Sequence, residues 1–73
     1  MKKDMMIYDK NGTLLKEHDY LFDDPTDDYS VVSLEVYWDE WYLAGKVSCW
    51  RLEEFSLEAY KGGIKLVDFE KVR

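Results

Sequence analysis

The sequence predicts a mostly β fold, a small antiparallel sheet or barrel of five to six strands, on three observations. Residues 31–38 alternate strictly between apolar and mixed positions, and the alternation resumes at Trp41. Asn11-Gly12 and Gly62-Gly63 are turn signals placed between apolar runs. Twelve aromatic residues in 73 supply bulk suited to a pleated, half-buried surface. A chain of this length makes one domain, residues 1–73, with a thin core. Neither a linker nor an internal repeat divides it.

Met5-Met6-Ile7-Tyr8 reads as a first short strand, and Asp9-Lys10-Asn11-Gly12 turns the chain into Thr13-Leu14-Leu15-Lys16, which runs on toward Phe22. Asp23-Asp24-Pro25-Thr26-Asp27-Asp28 then breaks the pattern. Proline cannot donate to a ladder, and Asp23, Asp24, Asp27 and Asp28 repel one another, so this is an exposed, mobile acidic loop. In the next strand Val32, Leu34, Val36 and Trp38 share one face. Asp39-Glu40 is the expected turn, and Trp41, Leu43, Gly45, Val47 and Cys49 share a face of the return strand. Gly45 in mid-strand marks a bulge or bend. Residues 52–61 fit two readings: Leu52, Phe55 and Ala59 lie at helical spacing, while Phe55, Leu57 and Ala59 alternate as in a strand that turns at Lys61-Gly62-Gly63. The expected core is Ile7, Leu14, Val32, Leu34, Val36, Trp41, Leu43, Val47, Phe55, Leu57, Leu66 and Phe69.

The formal net charge is −6, unevenly spread: residues 17–58 hold twelve acids and two bases, whereas the ends are basic. Phosphate affinity is carried by Lys and Arg, so direct nucleic-acid binding is not expected, and a protein partner with a basic surface is. No apolar run approaches a membrane span. One cysteine and no leader-like segment lead to the expectation of a reducing cytoplasm, with Cys49 a small buried strand residue.

No enzyme is expected. His18 is the only histidine, and in a strand its neighbours Glu17 and Asp19 point away from it. There is no phosphate loop, nucleophile elbow or cysteine pair, so neither cofactor nor metal is anticipated. The four loop aspartates lack the spacing of a calcium loop. With Trp38, Trp41 and Leu43 assigned to the core, Tyr37, Tyr42 and Trp50 remain for the surface, interleaved with Glu35, Asp39, Glu40, Glu53 and Glu54. That set of acids and aromatics suits an Arg-rich partner through ion pairs and cation–π contacts.

Residues 32–60 resemble the WYL domain, a small Sm-like barrel of bacterial transcription regulators. Trp41-Tyr42-Leu43 matches its hallmark strand, and Phe55 and Leu57 match packing positions of a later one. The family's arginines are replaced here by Glu53 or Glu54 and by Ala59, which removes its basic ligand contacts. Asp39-Glu40-Trp41-Tyr42 is similar to the acid-then-aromatic segment of SH3 domains. These resemblances imply an SH3-like or Sm-like barrel. In size and charge the chain resembles the small acidic inhibitors of phages and mobile elements, which imitate DNA. The leading expectation is therefore a non-catalytic, acidic, inhibitor-type module that occupies a basic, nucleic-acid-handling surface of a partner. The alternative is a WYL-like regulatory or ligand-sensing barrel with a pocket of Trp50, Phe55 and Tyr60. Homodimerisation through open edge strands is a further expectation.

Overall fold

Alternation at residues 31–38 and 41–44 builds the longest hairpin of the computed structural model, which describes residues 1–73. Eight strands are present: β1 (Ile7–Tyr8), β2 (Tyr20–Phe22), β3 (Val32–Tyr37), β4 (Glu40–Ala44), β5 (Cys49–Arg51), β6 (Leu57–Tyr60), β7 (Gly63–Leu66) and β8 (Glu70–Lys71). Two single 3-10 turns, Asp28–Ser30 and Leu52–Glu54, are the only helical pieces. The mostly β architecture is thus the one the sequence predicts, with eight strands in place of five to six because β1, β2 and β8 are too short to show a period. Its strands form a five-stranded sheet in the order β5-β4-β3-β2-β8 and a three-stranded sheet in the order β1-β7-β6. Every pairing is antiparallel except β1 with β7. No helix is long and apolar enough to cross a membrane.

The core lies between the sheets. Leu34 opposes Leu43, and Val36 opposes Trp41, so four side chains of the hairpin enter it from one face. Ile7, Leu15, Leu21, Leu52, Leu66 and Phe69 complete it, with Val32, Phe55, Leu57 and Ile64 packed at its margin. Leu14 and Val47 are exposed instead, Val47 at 95 %. The reason is local in each case. Leu14 bridges Tyr8 across the first turn, which turns Leu15 inward. β4 ends at Ala44, where Gly45 N–H donates to Ser48 O (2.7 Å), so Val47 sits at a bend and Cys49 opens an exposed edge strand.

Two of the turns place a glycine at positive φ, and one does not. Lys10-Asn11-Gly12 closes the first loop, with Gly12 at φ 82° and Asp9 N–H donating to Thr13 O (2.9 Å). Lys61 and Gly62 form a two-residue primed turn between β6 and β7, so 52–61 resolves into one 3-10 turn followed by a strand. Between β3 and β4 the turn residues are Trp38 and Asp39, at φ 49° and 65°, one place earlier than the expected Asp39-Glu40.

Two carboxylates are buried. Asp9, 2 % exposed, accepts from Asn11 N–H (2.9 Å), Thr13 N–H (2.8 Å) and Lys71 N–H (3.0 Å). Asp19 accepts from Lys16 N–H (2.9 Å) and lies 3.8 Å from the Lys71 ammonium. Replacing Asp9 with alanine strands three backbone donors, and we expect urea unfolding to show a loss of about 3 kcal/mol, a large share of a small domain's stability.

Gly63 is where β7 meets β1: a methyl group there would overlap the Met6 carbonyl, which accepts from Ile64 N–H (2.9 Å). Gly62 has open space but positive φ. Gly63→Ala should cost about 2–3 kcal/mol through overpacking, and Gly62→Ala about 1 kcal/mol through backbone strain. Thermal melts that rank the two the other way would place the constraint in the turn and not at the sheet contact.

Candidate partner-binding face

Directly opposed residues share a face, so the outer side of the five-stranded sheet carries Glu35, Tyr42 and Arg51 in one row and Tyr37 with Glu40 in the next. Tyr37, Trp38 and Tyr42 form a closed aromatic triad. Ring centroids lie 5.3 Å apart for Tyr37–Tyr42, 6.1 Å for Tyr37–Trp38 and 6.3 Å for Trp38–Tyr42, with interplanar angles of 57–63°. Tyr42 is the floor of this cluster at 9 % exposure, and Trp38 is its rim at 86 %. The expected roles are therefore exchanged: Trp38 lies outside and Tyr42 is covered. The two-residue turn takes Trp38 out of the pleat, and its indole and the Tyr37 ring lie over Tyr42.

Acidic groups border the triad. Glu35 Oε1 lies 2.8 Å from His18 Nδ1, and Glu17 Oε2 lies 3.5 Å from His18 Nε2. His18 occupies a bulge: its N–H donates to Leu34 O (2.6 Å), while Leu34 N–H donates to Asp19 O (2.8 Å), so two residues oppose one. Its backbone is left-handed, φ 77°, which aims the imidazole over Glu35. Sequence reasoning missed this grouping because a regular strand would separate Glu17 from His18.

The remaining predicted site residues sort by what they already touch. Glu40 Oε1 is 3.6 Å from the Met1 ammonium and its Oε2 is 3.4 Å from Arg51. Glu53 lies 2.8 Å from the same ammonium, and that hydrogen bond holds its carboxyl below the usual carboxylate range, against partial loss of solvent. Glu54 accepts from Arg51 N–H (2.9 Å) and closes the 3-10 turn. Asp39 faces Lys3 at 3.6 Å. Trp50 does not join the triad. It opposes Leu43 on the inner face and, with Phe55 at 6.3 Å, lines a groove of about 410 Å³ that also includes Phe69, Tyr29 and Lys46. Tyr60, expected beside Trp50 and Phe55, packs on Tyr8 at 4.9 Å in the other sheet.

The acidic loop is exposed and built of side-chain-capped turns. Asp24 accepts from the Thr26 hydroxyl (2.7 Å) and Thr26 N–H (2.9 Å), which hold its carboxyl below the ordinary value; Asp27 accepts from Tyr29 N–H (2.9 Å). The Asp23 and Asp28 side chains make no ion pair within the chain, and Asp23 lies at the groove of Trp50 and Phe55, away from the aromatic triad.

Comparison of the chain with protein-family models, with curated proteins and with solved structures finds no match in any of the three.

The outer face leaves a mark on Tyr37. Partial loss of solvent pushes its phenol above the ordinary 10.0, and the charges of Glu35, Cys49 and Glu17 push the same way. A raised value means that the folded chain holds this proton more tightly than the unfolded chain. The linked stability is complete below pH 10.0 and is lost as the pH rises through the folded value. Glu35→Gln should lower the Tyr37 titration toward 10.0, read from the pH dependence of the assigned Tyr37 ring resonances. A Tyr37 titration that does not move on this substitution would show that Glu35 does not face the phenol.

Proposed function

We propose that this chain is a non-catalytic protein-binding module whose outer hairpin face takes up a basic segment of a partner, of the kind that handles nucleic acid. The observation that carries the reading is Trp38. It is a large aromatic residue held in solvent at φ 49°, in a turn position where Asn or Gly is the unstrained choice, on top of Tyr37 and Tyr42. Exposed Trp and Tyr surrounded by carboxylates suit guanidinium and ammonium groups through cation–π contacts and charge-assisted hydrogen bonds. Glu17 and Glu35 are the acids positioned for this, because only His18 stands between them. Glu40 and Glu53 already share the Met1 ammonium and Arg51. The net charge of −6 speeds encounter with a basic surface and opposes contact with nucleic acid itself.

A second reading, a small-ligand sensor, draws on the groove under Trp50 and Phe55. The two readings part at their tryptophans. In capture of basic proteins on the immobilised chain, eluted by a salt gradient, we expect Trp38→Ala and Glu35→Lys each to weaken retention about tenfold or more. Glu53→Gln should leave it nearly unchanged, and Trp38→Asn should lose binding while melting no lower than the parent chain. Retention indifferent to salt and to Trp38 would sink this reading. Sensitivity to Trp50→Ala alone would move function to the groove.

A further inference from the structure

The outer face holds a second arrangement that partner binding does not require. His18 is the only imidazole of the chain, and the bulge places it between two carboxylates from separate segments, Glu17 beside it and Glu35 on β3. One ligand atom from each residue lies within 4.8 Å of the other two. In a tetrahedral zinc site, donors at about 2.0–2.2 Å from the ion stand roughly 3.4 Å apart. Glu35 stands at Nδ1 and Glu17 at Nε2, so an ion on one ring nitrogen requires the carboxylate at the other to swing toward it, a movement for which each glutamate has three torsions while the His18 backbone is tied to Leu34 O.

We propose that Glu17, His18 and Glu35 form a three-ligand site for a divalent transition ion of the zinc type, one nitrogen and two carboxylates, with the remaining positions open to water. The imidazole sets the selectivity. Calcium and magnesium take oxygen donors and gain little from it, whereas zinc, nickel and copper bind nitrogen well. Two carboxylates within reach of one imidazole offset the charge of the ion. An ion bound there fixes the bulge to β3 and neutralises the two acids that border the aromatic triad. The site would thereby weaken or redirect the capture of a basic partner.

Titration of the chain with zinc alone, followed by amide and imidazole nitrogen resonances, tests this. The expected result is saturable one-to-one binding, with shifts confined to residues 16–19 and 33–37 and to one ring nitrogen of His18. His18→Asn keeps a residue that tolerates left-handed backbone, so the fold survives; it should weaken binding about tenfold or more, as should Glu35→Gln. Cys49→Ser should bind as the parent does, and calcium should produce none of these shifts. Non-saturable binding, zinc affinity that survives His18→Asn, or affinity lost with Cys49→Ser would each overturn the site.

Discussion

One buried carboxylate ties the two sheets together. Asp9 leaves β1, the edge of the three-stranded sheet, and its Oδ1 organises the following turn through Asn11 and Thr13. Its Oδ2 accepts from Lys71 N–H, 62 residues along the chain, on the outermost strand of the five-stranded sheet. Lys10 N–H donating to Phe69 O (2.8 Å) reinforces the same junction. Asp19 meets the Lys71 ammonium, so β8 is held by one acid at its backbone and approached by another at its side chain. A buried carboxylate is tolerable only when it is hydrogen-bonded, and three backbone donors, two on Oδ1 and one on Oδ2, satisfy both oxygens of Asp9. The apolar core supplies the bulk of the stability, yet without this junction the strands β1 and β8, of two residues each, have little to fix their position.

How much of this was legible follows from strand length. β3 and β4 run for six and five residues with one face buried, long enough for period two to appear, and their inward residues are those the alternation names. β1, β2 and β8 have two or three residues and carry no period. Their places are set by Asp9, by the Gly63 contact and by the bulge at His18, all of which are long-range. The same logic explains Trp38. Alternation extrapolates it inward from Val36, but the pleat ends at Tyr37, where the turn begins. Tyr42 is buried on the outer face for a reason no single-strand pattern contains: two rings from the neighbouring strand end and turn cover it.

Charge was legible as a sum and not as a surface. The sequence counts Glu35, Asp39, Glu40, Glu53 and Glu54 as one acidic set. In the fold, Glu40 and Glu53 gather around Met1 and Arg51, Glu54 caps a 3-10 turn, and Asp39 meets Lys3. Glu17, absent from that set, joins Glu35 because the bulge brings it there. The acidic face is therefore narrower than the composition implies, and it is centred on Glu35 in the middle of β3 and on the bulge beside it.

Backbone strain separates what stabilises this chain from what it exposes. Four non-glycine residues have positive φ: His18, Trp38, Asp39 and Lys61. Each costs on the order of 1 kcal/mol, against a total for a small domain of roughly 5–15 kcal/mol. Lys61 is followed by Gly62 in a turn that keeps one strain-free position. The turn at Trp38-Asp39 has none, and the bulge at His18 lacks the glycine such a position favours. Neither residue recovers its strain through burial, since both side chains stand mostly in solvent. Strained, exposed and chemically distinctive side chains on the same sheet are poorly explained by folding alone. They are the two features on which the proposed partner-binding face and the proposed metal site rest.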